Sequence, residues 1–302
     1  MGKIYPKKRS RKKKSLKAMI FGGLFFCSLA GLAYFLVWSP YFWVSRIEFE
    51  PDKPPRYYSR DDVKKIVQEV LDDKIWRFIP RKSVFLFPAE GIRSGILVRY
   101  PEIKSVKAGK KFPNAVRLAI EERTGVGIWC QLERPTAEAL AAEEAKISTS
   151  SPDTSGILPK TEGKKIGQCF TLDQEGVIYR ESALIEGDFV LNIFSGKAAA
   201  PPRIGDEVAS WETMDFILKL KDGLPGVKPA GGLSLSAANF EIVSAGDLRV
   251  KTSVGFEIYF NPGYSIGTQL GALQMVLDNE IKENYVSLEY IDLRIEGRVY
   301  YQ

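Results

Sequence analysis

The chain has no histidine among its 302 residues. That absence excludes Ser-His-Asp and Cys-His nucleophile systems and every zinc site built on imidazole. Cysteine is nearly absent as well. Cys27, Cys130 and Cys169 are too few and too scattered for a four-thiolate metal site. Ser234 and Ser236 have no histidine to activate them, and their stretch "PAGGLSLS" lacks the Lys and Ser/Thr of a phosphate loop. Carboxylate pairs do occur, at Asp61–Asp62, Asp72–Asp73 and Glu121–Glu122. Neighbours on a strand face opposite ways, and the helical pairs fall at a helix start or end. They read as solvated charge and not as a glycosidase pair. The expectation is a protein with no catalytic residue, no cofactor and no metal.

A basic body is also lacking, although the net charge is +6. Nine of the 43 Lys and Arg residues lie in positions 1–17, which hold no acid; the rest of the chain sets 34 bases against 37 acids. A nucleic-acid reading needs cations on a folded face, and "RYYSR" and "GRVYY" are thin support for one. Neither nucleic acid nor a small-molecule substrate is expected as a partner.

What is present begins with one long apolar run. Residues 18–38, "AMIFGGLFFCSLAGLAYFLVW", carry no charge. As a helix they extend ~31 Å, the thickness of a hydrocarbon core. Trp38, Tyr41, Phe42 and Trp43 stand where an interfacial aromatic belt belongs, and the cationic tail before the run places the N-terminus in the cytoplasm. The run is longer than the ~7–15 residues of a signal-peptide core and exits into bulky aromatics and Pro40, so it reads as an uncleaved anchor. Gly23, Cys27 and Gly31 form a small-residue stripe, common in membrane helices.

Beyond the anchor the pattern is α+β. A first region, residues 44–123, reads as β-α-α-β-β. "WVSRIEFE" alternates as a strand does. "SRDDVKKIVQEVLDD" is a helix with Ser59 as N-cap and Val63, Ile66, Val67 and Val70 as its apolar stripe. "AEGIRSGILVRY" is a second helix, stopped before Pro101, and two alternating strands follow around Phe112–Pro113. A second region, residues 124–302, reads as a mainly antiparallel β domain with packed helices. Its strands are "VGIWC", "QCFTLDQEGVIYR" with a turn at Asp173–Gly176, and the meander "NFEIV", "DLRVKTS", "GFEIYFNP". Its helices are "SWETMDFILKLKD" and "SIGTQLGALQMVLDNEIKE". Residues 131–167 interrupt it with Ala, Glu, Ser, Thr, Lys and Pro and few large apolar groups, which predicts a mobile loop.

Cys130 and Cys169 flank that loop on strands expected to pair. Cross-strand positions come within disulfide range, and an exported compartment permits oxidation. A bridge and a pair of buried free thiols both satisfy the sequence. The chain ends on "YIDLRIEGRVYYQ", in which Ile291, Leu293, Ile295, Gly297, Val299 and Tyr301 alternate with polar residues, so the last residues are expected to form a strand.

The basic tail, single membrane helix and β-α-α-β-β module lead into "PNAVRLAIEERTGVGIW", with Pro113, Glu122-Arg123 and Trp129. This resembles the POTRA module of the bacterial cell-division proteins FtsQ and DivIB. "CFTLDQEGVIY" is similar to the family's next hairpin, with Asp173, Gly176, Val177 and Ile178. The ending, with Asp292-Leu293-Arg294, is similar to its C-terminal strand. The resemblance implies a non-enzymatic, single-pass protein of the cell (inner) membrane, with its bulk extracytoplasmic and its location at the division septum. It implies a divisome scaffold that binds small bitopic coiled-coil proteins of the FtsB/DivIC and FtsL types and contacts other divisome proteins. In the family the last strands dock the FtsB-type partner by strand addition. Carried onto this chain, the contact residues are Ile295, Arg298, Val299, Tyr300 and Tyr301. Without the resemblance, an internal strand paired on both sides is the plainer reading of the same residues. A different membrane-anchored POTRA-type component, serving protein secretion or envelope assembly, is the alternative function.

Overall fold

The computed structural model describes residues 16–75, 79–133, 165–185, 187, 189–196, 201–229, 234–282 and 284–302. It is an α+β protein with mixed sheets and one long apolar N-terminal helix. Its contacts divide it into two units, Met1–Glu122 and Arg123–Gln302.

The first unit opens with α1 (Leu16–Trp38), whose 23 residues give a rod of about 34 Å. From Met19 to Phe35 its side chains are exposed, Phe21, Phe25 and Phe26 among them, while Leu36 and Val37 are half-buried. A short 3-10 turn at Pro40–Phe42 follows, then β1 (Arg46–Glu50). In α2 (Arg60–Asp72), apolar residues three and four apart put Val63, Ile66, Val67 and Leu71 on one buried face. Ser59 holds the N-cap position without a side-chain cap bond, and its carbonyl accepts the amide of Val63 at 3.1 Å. A minimal ribbon, β2 (Lys74–Ile75) with β3 (Ile79–Pro80), precedes α3 (Ala89–Arg99), which buries Ile92 and Ile96. The strands β4 (Ile103–Lys111) and β5 (Ala115–Glu122) form a hairpin, and β1 joins β5 in parallel, giving the order β1-β5-β4. Ile103, Val106, Val116 and Leu118 meet the two helices in one core. Glu122 accepts the backbone N–H groups of Arg56 and Tyr57, at 2.8 and 3.1 Å, which ties down the proline-rich turn.

The second unit is one nine-stranded sheet. Its strands are β6 (Gly125–Glu133), β7 (Lys165–Asp173), β8 (Ile178–Ser182), β9 (Leu191–Ser195), β10 (Asn239–Ser244), β11 (Asp247–Lys251), β12 (Glu257–Phe260), β13 (Tyr290–Asp292) and β14 (Tyr300–Tyr301). They lie in the order β14-β13-β12-β11-β10-β9-β6-β7-β8. The β9–β10, β6–β9 and β12–β13 pairs are parallel and the other five antiparallel. Trp129, Ile193, Phe240, Val250, Ile258 and Ile291 stand opposite one another in successive strands and are all buried. The helices α4 (Trp211–Gly223) and α5 (Ile266–Val276) cover this row with Met214, Ile217, Leu220 and Leu273. Both helices start on a serine, Ser210 and Ser265, whose hydroxyls accept the amides of Thr213 and Thr268.

Several expectations change. The final residues are not one strand: the chain pairs as β13, leaves the sheet after Asp292 and returns as β14, antiparallel to β13. Gly297, at φ +73, takes the left-handed backbone that the return needs. The weak segment is shorter than 131–167, because residues 131–133 extend β6 and 165–167 extend β7. Its remainder, 134–164, and the tail 1–15 lie outside the described residues. The strand "LNIFS" at 191–195 was not anticipated, yet it joins the two halves of the sheet. It is five residues long and buried at nearly every position, so it has no alternation to read.

Candidate functional site

The two ends of the large sheet are finished differently. At the β8 end the backbone is partly covered. The amide of Ile178 donates to Asp206, Gly205 donates to Ile178, and Val208 donates to Gly176. At the β14 end, among the described residues, no strand lies beyond β14. Gln302 exchanges two backbone bonds with Tyr290, at 3.2 and 3.4 Å. The alternation of an antiparallel ladder then turns the N–H and C=O of Tyr301 away from β13, toward the open side. An edge of this kind accepts another extended chain unless it is charged or covered. Here it carries two tyrosines, Tyr300 at 45 % and Tyr301 at 47 % exposed.

The two rings finish two rows. Tyr301 stands opposite Ile291 and so ends the core row. Tyr300 stands opposite Asp292 and ends the row on the opposite face, which runs through Arg249, Tyr259 and Asp292. The other expected contact residues are placed separately. Ile295 and Arg298 are exposed in the turn, closed by a 3.1 Å bond from the amide of Arg298 to the carbonyl of Ile295. Val299 is half-buried against the main core.

A charged cluster holds the edge in place. Arg294 grips Asp292 with two side-chain bonds of 2.9 and 2.6 Å, and its own amide donates to the same carboxylate at 2.9 Å. Its guanidinium also reaches Asp247 at 2.7 Å, and Asp247 pairs with Arg249 at 3.2 Å. Both guanidinium groups lie over the ring of Tyr259, at 4.7 and 5.1 Å, and that ring stacks on Tyr290 at 5.2 Å. The hydrogen bonds from Arg294 hold the Asp292 carboxyl below the usual carboxylate range. The same bonds raise Arg294, and the bond to Asp247 raises Arg249, so both stay fully charged. Burial pushes the Tyr259 phenol up. Below the cluster, buried Gln269 exchanges two 2.9 Å bonds with the backbone of Asn261, whose side-chain amide reaches the carbonyl of Arg294 at 3.3 Å.

Asp247, Arg249 and Tyr259 were missed from sequence, although a signal existed. The tripeptide Asp-Leu-Arg occurs twice, at 247–249 and 292–294. Each copy buries its leucine, Leu248 and Leu293, and turns its acid and base to the same face. The first sits in β11 and the second follows β13, so the fold brings the repeats together.

Two further features frame the site. The structure bonds Cys130 to Cys169 in a disulfide, with Cα atoms 4.1 Å apart at facing positions of β6 and β7. Asp173, buried at the end of β7, accepts the amides of Glu175 and Val177 at 3.0 Å and pairs with Arg123, which shapes the turn to β8. No group of His, Cys, Asp or Glu suited to a metal occurs among the described residues. What the arrangement offers chemically is backbone pairing beside an aromatic-rimmed corner held by ion pairs. In comparisons with known proteins, no family model and no curated protein matches the chain.

Proposed function

We propose that this protein is a membrane-anchored, non-enzymatic scaffold of bacterial cell division, of the FtsQ/DivIB type. In this reading it holds a small bitopic coiled-coil partner, of the FtsB/DivIC and FtsL kinds, by adding the partner's extended segment to β14. The open outer side of β14 carries the proposal. Among the described residues no strand covers it, and the Arg294–Asp292–Asp247 cluster braces the strand beside it. The apolar α1 supports the anchor, with the cationic tail on the cytoplasmic side and both folded units outside. The β-α-α-β-β order and three-stranded sheet of residues 46–122 support the POTRA reading.

The test is affinity purification of the full chain from detergent-solubilised membranes. A small single-helix coiled-coil protein is expected to co-purify, and deletion of residues 300–302 is expected to release it. Retention of that partner by the shortened chain, or a tagged copy that does not gather at midcell, counts against the reading.

A further inference from the structure

The first unit carries an exposed aromatic ladder that starts on α1 and runs off it. Phe35, in the last turn of α1, meets Phe42 at 6.0 Å between ring centroids. Phe42 meets Phe85 at 5.2 Å, on the 3-10 turn Val84–Leu86, and Phe85 meets Phe112 at 5.4 Å, at the tip of the β4–β5 hairpin. Phe112 is 59 % exposed, and Phe85 is exposed as well. Neither ring belongs to the cores of the folded units.

The depth of this ladder follows from one hydrogen bond. The hydroxyl of Ser83 donates to the carbonyl of Leu36 at 3.1 Å. Leu36 lies two residues before the end of the apolar span Met19–Trp38, about 3 Å along the axis. The headgroup layer on each side of a bilayer is roughly 5–7 Å thick. A hydroxyl 3.1 Å from the Leu36 carbonyl therefore lies at the boundary of that layer when the span is filled by hydrocarbon. The amide of Val44 donates to Lys82 at 2.8 Å, and the Nζ of Lys110 donates to the carbonyl of Phe85 at 2.9 Å, so loop 82–86 and the hairpin tip are tied to the same level. Lys110 and Lys111 directly precede Phe112, and the Nζ of Lys111 pairs with Glu48 at 2.6 Å, so two cations stand beside the tip at headgroup level.

We infer that loop 82–86 and the β4–β5 hairpin tip form a lipid-contacting face, with Phe85 and Phe112 dipping into the outer headgroup layer beside α1. This rests on the membrane-anchor part of the proposed function and is independent of the division role. The face fixes the tilt of the first unit on the bilayer, because it supplies a second point of support away from the helix axis.

Nitroxide labelling of the full chain in phosphatidylethanolamine–phosphatidylglycerol vesicles tests it. Cys27→Ser removes the free cysteine, and single labels are placed by Phe112→Cys, by Trp38→Cys and by Glu121→Cys. Glu121 pairs with Ser105 near the far end of the hairpin, some 20 Å from the tip. The label at 112 is expected to collide more with oxygen than with a water-soluble nickel chelate, as the label at 38 does. The label at 121 is expected to show the reverse. Equal ratios at 112 and 121, with 38 in lipid, overturn the inference and leave the anchor standing. A label at 38 that reports water overturns the anchor, and this inference with it.

Discussion

Arg294 is the residue on which the end of the chain depends. It satisfies Asp292 and Asp247 at once and lies over Tyr259, so replacing a partner leaves a half-buried cation short of acceptors. Asp292→Asn is expected to lower stability by about 1 kcal/mol, a value discounted for partial exposure. Urea denaturation of the full chain in detergent measures it. The same residue sets a pH dependence. Its folded pKa is depressed, so its contribution is present above the unfolded value of about 3.9 and is lost as pH falls through the folded value. The stability difference between native protein and Asp292→Asn is expected at pH 6 and to shrink as pH falls below about 4; a difference unchanged by acid contradicts the assignment. Gly176 is the other sensitive position. It sits at φ +80, and a Cβ there would stand 1.9 Å from the carbonyl oxygen of Ala209. Gly176→Ala is expected to cost about 2–4 kcal/mol by the same measurement, from a strained backbone and a forced shift of the 209 segment.

At the scale of elements, β6 and β7 are the longest pair in the second unit and carry the disulfide between them. A bridge across a sequence separation of 39 restrains the unfolded chain by roughly 4 kcal/mol in the chain-entropy model. Double replacement, Cys130→Ser with Cys169→Ser, is expected to lower the urea midpoint accordingly, and reductant is expected to have the same effect on the native chain. Free thiols that label fully without reductant contradict this. These long elements were legible as apolar runs, "VGIWC" and "CFTL", on either side of a polar segment, as were α2, α4 and α5 through their apolar stripes. The ending was misread for a physical reason. Its alternation is real, with Ile291 and Leu293 buried, but a period-2 pattern does not say where a chain leaves the sheet. Asp292 turns its carboxylate back onto the amide of Arg294, and Gly297 reverses the chain, so the five residues between Leu293 and Val299 serve the turn. The strand at 191–195 escaped notice because both its faces are covered.

At the scale of the whole molecule, the sequence carries an apolar helix near its start and an edge strand, β14, near its end. The contact residues expected from the resemblance divide by place: Tyr300 and Tyr301 on the edge, Ile295 and Arg298 in the turn beside it, Val299 packed inward. Binding through backbone predicts a particular sensitivity. Tyr301→Pro removes the outward-facing donor while Tyr300 and Gln302 keep their pairing with β13, and proline is tolerated on an edge strand at such a position. It is expected to weaken partner capture at least tenfold, by about 1.4 kcal/mol, without lowering the urea midpoint. Amide hydrogen exchange at Tyr301, in the full chain alone and with the proposed FtsB/DivIC-type partner, decides whether docking occurs by strand addition. Rapid exchange in the free chain and strong protection in the complex are the predicted results. Protection already present in the free chain, or a complex that forms while this amide still exchanges rapidly, would contradict docking by strand addition.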